Sequence, residues 1–157
     1  MNLDPKFILP FWEKTHRFPG GKWFFSRVVG YMAPYSRTIG VRFVSLRAGH
    51  CIATLKQRWS ITNHLRCIHA MALANFGEFT SGISLLSALP SDARAIVTGF
   101  KIEYFKKARG TLKAECISPS ISGNAEQTIF GVASITNAQG ELVTRTTAEW
   151  KIGPRPR

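Results

Sequence analysis

One long apolar helix set among stretches of strand-like alternation predicts an α+β fold: an antiparallel sheet curled round a single central helix, with a helical arm in front. Three observations carry this. The segment from about Cys67 to Leu86 is the long body segment whose apolar residues recur at three and four. The stretches before and after it alternate with period two and end in turn residues. The helix is also rich in Ala and Gly, which lets a sheet close on it from more than one side.

The arm comes first, over residues 1–35. Two short helices are expected in it, at 5–18 and 22–32. In the second, Trp23, Phe24, Val28, Tyr31 and Met32 recur at helical spacing. Pro19-Gly20-Gly21 and Ala33-Pro34 break the chain on either side. So aromatic an arm must pack on something, either the domain body or a second subunit. The body, residues 36–157, opens with a hairpin. Val41, Phe43 and Ser45 alternate with Arg42, Val44 and Leu46, Gly49 turns the chain, and Ala53, Leu55, Gln57 and Trp59 share a face. In the long helix Ile68, Met71, Ala72, Asn75, Phe79, Gly82, Ile83 and Leu86 form the repeating stripe, and Pro90 follows its end. Strands are expected at 95–105, 111–118, 127–137 and 142–152, separated by the basic turn 106–110, a polar loop and the turn Ala138-Gln139-Gly140-Glu141. The tail 153–157 is expected to be loose.

With 157 residues, 45% hydrophobic and 19% charged, the chain is long enough for one domain with its own core. It has no apolar run as long as a membrane span. Its first residues, with Asp4, Pro5 and Pro10, lack the layout of a signal peptide. A soluble, cytoplasmic protein is expected. Cys51, Cys67 and Cys116 are odd in number and show no zinc spacing, which fits a reducing compartment. His64 and His69 have no carboxylate at ligand spacing, so no metal is expected. The net charge is +12, and residues 1–60 hold ten Lys and Arg against two acids. Such a surplus favours a phosphorylated ligand, an anionic membrane surface or a nucleic acid, or else serves solubility alone. The basic residues are dispersed and no nucleic-acid motif is present, so nucleic acid is the least expected partner.

Chemistry concentrates in NHLRCIHAMALANFGEF, residues 63–79. Glu78 stands among Leu73, Ala74, Phe76 and Phe79, where a carboxylate is poorly solvated and its pKa rises toward the range of a general base. Asn63 and His69 lie in the approach to the helix, His69 as a capping residue. Ala70 stands at its start, where backbone N–H groups are unpaired and carry partial positive charge. Glu78 lies eight residues beyond Ala70, a rise of about 12 Å. That is too far for both to touch one carbonyl. If they serve one reaction they come from two chains, with helices antiparallel about a two-fold axis.

The order of elements, Asn63 with His69-Ala70 and an acid nine residues after the histidine, Ile102–Gly110 (IEYFKKARG), and the arm ending in Ala33-Pro34-Tyr35-Ser36 together resemble the hotdog-fold acyl-CoA thioesterases. The branch they resemble is the phenylacetyl-CoA thioesterase type and its relatives of unknown function. The resemblance runs from about Ser36 to Ile152. It implies that Glu78 is the nucleophile or general base, and that the N–H of Ala70 polarises the thioester carbonyl. Asn63 and His69 take the places of the family's loop Asn and His. It also implies a helper Ser or Thr on the next strand, for which Thr98 is nearest but one residue out of register. Lys106, Lys107 and Arg109 resemble the region near the coenzyme A phosphates, Phe79 and neighbouring aromatics (Phe76, Phe100, Tyr104, Trp59) are the candidate acyl pocket, and coenzyme A enters only as part of the substrate, with no separate cofactor. Family members are homodimers, many paired into tetramers. Ala70-Met71 stands where the family has Gly-Gly, which keeps a non-catalytic acyl-CoA-binding module as the alternative. A hydratase of this fold would want an Asp–His pair where Asn63 stands.

Overall fold

The computed structural model describes residues 4–155; the first three residues of the arm and the last two of the tail lie outside them. The arm forms α1 (Pro5–Thr15), α2 (Gly21–Met32) and the single turn α3 (Pro34–Arg37). Asp4 caps α1 by accepting the Lys6 N–H at 2.9 Å, and Pro5 occupies the first helical position, where no N–H is needed. α1 ends three residues earlier than expected. The chain turns there so tightly that a Cβ on Gly21 would lie 1.7 Å from the Thr15 carbonyl oxygen, and Gly20 has φ +77°.

The arm packs on the domain body. Ile8, Trp12, Phe25 and Val29 are buried in the same cluster as Phe43, Leu55, Phe76 and Phe79. A run of edge-on rings links the two: Trp12 to Phe25 at 5.0 Å, Phe25 to Phe43 at 5.7 Å, and Phe43 to Phe79 at 5.3 Å between centroids.

The body is a hotdog fold. Strands β1 (Arg42–Arg47), β2 (His50–Lys56), β3 (Ala93–Tyr104), β4 (Thr111–Ile117), β5 (Gln127–Thr136) and β6 (Leu142–Pro154) form one antiparallel sheet in the order β1-β2-β4-β5-β6-β3. Helix α4 (Ala70–Leu86) lies in its concave side against β2, β4, β5 and β6. The small residues permit this: the α4 backbone at Gly77 is so near Thr146 that a Cβ would overlap it, and Gly82 lies against the Trp150 ring. Two bulges alter strict alternation. One between Phe43 and Ser45 turns Leu46 inward, so Phe43 and Leu46 are buried and Ser45 is not paired with Phe43 as a core residue. The other lies between Val97 and Gly99 on β3.

Two further expectations are corrected at the ends of elements. The long helix begins at Ala70, not Cys67, because Ile68 is held in extended pairing with Thr62 and its N–H goes to the Ala108 carbonyl at 2.8 Å. The tail is not loose as far as Arg155. Gly153 and Pro154 pair with β3, and the Arg155 guanidinium meets Asp4 at 2.9 Å, holding that carboxyl below its usual pKa.

Candidate active site

The approach to α4 is a loop built by Asn63. Its side-chain oxygen accepts the N–H of Leu65 at 3.0 Å, the N–H of Cys67 at 3.2 Å and the Cys67 thiol at 3.4 Å. An Asn tied to the backbone two and four residues on is a turn-former, so Asn63 shapes the loop. His69 caps the helix: its Nδ1 accepts the Met71 N–H at 3.1 Å, and its carbonyl takes the N–H groups of Ala72 and Leu73. The ring is exposed. No acceptor among the described residues meets the Ala70 N–H, which points out of the helix end with the positive end of its dipole. The Tyr104 hydroxyl donates to the Ala70 carbonyl at 3.1 Å and so ties edge strand β3 to the first turn of α4.

Glu78 sits two turns further on. It is half-buried, and loss of water raises its carboxyl above the ordinary value. Its carboxylate has no hydrogen-bond donor or cation partner among the described residues, a free group facing an open space. That space is a shallow cavity of about 210 Å³, lined with Glu78 by Tyr35, Met71, Ala74, Asn75, Val97 and Phe100. Met71, Ala74, Asn75 and Glu78 form one stripe of α4 at three- and four-residue spacing.

Two polar members of this wall, like the apolar Val97, were not picked out from the sequence as site residues. Asn75 is 8% exposed, and its amide nitrogen is enclosed without a partner. Its signal was present, a polar residue in an otherwise apolar stripe, one turn before the acid. Tyr35 comes from the arm and is 71% exposed; nothing local marks it as a wall of a cavity formed with α4.

The other candidates fall elsewhere. Thr98 lies in the β3 bulge, is exposed, and donates to Glu149 Oε1 at 3.0 Å; its neighbour Val97 lines the cavity instead. Phe79 is buried against Phe43 and lies outside the cavity beside Glu78, in the lining of a separate cavity between the arm and the sheet. Phe76 is core and Trp59 is 93% exposed, while Phe100 does line the cavity beside Glu78. Of the basic turn, Lys106 is paired with Glu141, and Lys107 and Arg109 are exposed with no ion pair among the described residues. The turn touches the helix approach through the Ala108 carbonyl. Cys51, Cys67 and Cys116 are all buried and free. Among the described residues no group of three His, Cys, Asp or Glu could hold a metal ion, and no helix is long and apolar enough to cross a membrane.

Residues 21–152 match the family described as a domain of unknown function (DUF4442). No curated protein matches the sequence significantly. Among solved structures, the structural-genomics protein APC5556 is 26% identical, with a TM-score of 0.82 over 95% of this chain and 99% of that one. A probable thioesterase of unknown function from Pseudomonas aeruginosa is 18% identical, with a TM-score of 0.70 over 83% of this chain and 93% of that one. The PaaI protein of the phenylacetic acid degradation operon from E. coli is 16% identical, with a TM-score of 0.67 over 83% of this chain and 92% of that one. At such identities the last two speak for the fold.

Proposed function

Because the chain belongs to the DUF4442 family and carries the hotdog fold of the thioesterase-family proteins it resembles, we propose that it hydrolyses an acyl-CoA or related thioester. The observation that carries this reading is Glu78, an unpaired carboxylate of raised pKa on the wall of a cavity otherwise mostly apolar. A carboxylate so placed takes a proton from water, or attacks the carbonyl itself. The carbonyl oxygen takes negative charge as the bond forms and needs a donor already in place. The free Ala70 N–H at the helix start is that donor. Asn75, beside Glu78 with an unpartnered amide, orients the attacking water.

Ala70 and Glu78 are both on α4, about 12 Å apart along its axis. The reading therefore requires two chains, with the donor end from one and Glu78 from the other. β3 supports it, since it ends the sheet with a free edge and exposes Ile96, Phe100 and Tyr104. Two such edges paired antiparallel make a continuous sheet and set the helices side by side.

The test is turnover of a panel of acyl-CoAs followed by thiol release. Glu78→Gln is expected to lower kcat by about 10²-fold or more, with the circular dichroism spectrum unchanged. Full turnover by that variant would remove Glu78 from the chemistry. Sedimentation should give a dimer or a dimer of dimers, and a strict monomer with full activity would sink the two-chain site. One observation favours a second reading, a non-catalytic acyl-CoA-binding module: Met71, 59% exposed, overhangs the cavity where the related thioesterases have glycine. Binding of coenzyme A with no turnover on any acyl chain would select it.

A further inference from the structure

Four of the ten Lys and Arg of residues 1–60 meet in one place. Arg27 of α2, Arg37 of α3, Arg42 of β1 and Arg58 after β2 line a single cavity of about 170 Å³ between the arm and the sheet. No acidic side chain lines it. None of the ion pairs among the described residues involves any of the four. Four arginines around one cavity with no acid in its lining make the potential there positive, which favours an entering anion.

The arginines are also held in place. Arg58 donates to the Thr38 carbonyl and lies flat on Gly40, where a Cβ would come within 3.2 Å of it. Gly40 has φ +72°, so the backbone there favours glycine twice over. Arg27 stacks over Trp23 and Arg37 over Tyr31, each with its guanidinium carbon 5.6 Å from the ring centroid. Stacking covers a guanidinium face and leaves its N–H edge free for an oxyanion.

The cavity opens toward the candidate active site. A neighbouring depression of about 510 Å³ shares Gly40, Arg42 and Arg58 with it and adds Lys56. The next, of about 310 Å³, shares Ile39 with that one and reaches His69 and Met71 at the start of α4. No acid lines either depression. Neighbouring depressions that share lining residues thus lead on one chain from the arginines to the helix end that carries the free Ala70 N–H.

We propose that the arginine cavity between the arm and β1 binds the phosphate groups of the substrate's carrier, with the thioester end lying along these depressions to the start of α4. This rests on the thioester reading for the identity of the ligand. It moves the phosphate site from the turn Lys106–Arg109, one of whose cations is already paired, to the arm. It also gives the arm a function, since α2 and α3 supply two of the four arginines.

The experiment uses the full chain and three probes: coenzyme A itself, inorganic pyrophosphate, and vesicles of phosphatidylglycerol. Binding is read by calorimetry, with tryptophan fluorescence as a second signal because Trp23 underlies Arg27. Arg37→Ala and Arg42→Ala, both at exposed positions, are expected to weaken coenzyme A and pyrophosphate by about tenfold or more each, the loss of a charged hydrogen bond. Lys107→Ala should change neither. With a phosphate-free acyl thioester of N-acetylcysteamine, both arginine variants should turn over as the native protein does, while KM for acyl-CoA rises. Unchanged coenzyme A affinity and unchanged KM in both variants would overturn the proposal, as would loss of vesicle binding alone, which would assign the cavity to a lipid headgroup. If the native protein hydrolyses nothing yet its coenzyme A affinity still falls in the arginine variants, the phosphate site stands and the hydrolytic reading fails.

Discussion

Gly77, the residue before Glu78, sets the distance between the central helix and the sheet. A Cβ added there would lie 2.2 Å from Thr146 Oγ1, 2.5 Å from its Cγ2 and 2.8 Å from its Cβ. Thr146 is 1% exposed, β-branched, and held in β6 between β5 and β3, so its side chain has little freedom to give way. Overpacking costs about 1–3 kcal/mol, and an overlap with three atoms at under 3.0 Å belongs to the upper part of that range, about 2–3 kcal/mol. Alanine returns about 1 kcal/mol as the better helix former. The balance for Gly77→Ala is a loss of about 1–2 kcal/mol, or roughly 2–8 °C in Tm for a chain of this size. Gly82→Ala is the internal control: its nearest neighbour is the Trp150 ring edge at 3.2 Å, which needs to yield only a few tenths of an ångström. It should lie near zero. Urea unfolding followed by far-ultraviolet circular dichroism, at fixed protein concentration, measures both. Adding Thr146→Ala to Gly77→Ala should restore part of the loss, a coupling that identifies the contact. A Gly77→Ala protein as stable as the native one would refute the claim that the sheet closes on α4 at this point.

Four further outcomes are expected. Desolvation raises the Glu78 carboxyl in the folded state, so its stabilising effect is complete below the unfolded value and is lost as pH rises through the folded one; Glu78→Gln should therefore gain most in Tm over the native protein near pH 8 and little near pH 4, and a pH-independent difference would contradict the shift. If hydrolysis is observed, the acidic limb of its pH–rate profile should lie above the ordinary Glu value and vanish in the same variant. Tyr104→Phe removes the hydroxyl that holds the Ala70 carbonyl, and should cost about 0.5–1 kcal/mol in the same unfolding assay. The Cys116 thiol is pushed up to about 11 by burial and Cys51 is raised as well, so neither should react with an aromatic disulfide reagent at pH 8 until the protein is unfolded.

Much of the fold was legible because its signals are local. The stripe on α4, the alternation in the strands and the breaks at Gly20 and Pro34 each lie within a few residues of the element they define. Ends of elements were less so. The start of α4 depends on the Ala108 carbonyl taking the Ile68 N–H from forty residues away, and the order in the tail depends on Arg155 meeting Asp4. The bulge after Phe43 moves Leu46 inward, a change that period-two counting cannot register.

The candidate site divides in the same way. By itself the sequence determined that Glu78 is a lone acid in an apolar helix and that Ala70 and Glu78 are too far apart to act in one chain. These follow from composition and helical rise alone. Only the tertiary structure decided which face of α4 is open, and so placed Asn75 and Tyr35 beside Glu78 and Phe79 in the core. Only it brought Arg27, Arg37, Arg42 and Arg58 to one cavity. They are scattered through the sequence because what gathers them is the packing of Trp12 and Phe25 on Phe43, and contacts between distant rings leave no periodicity in the chain.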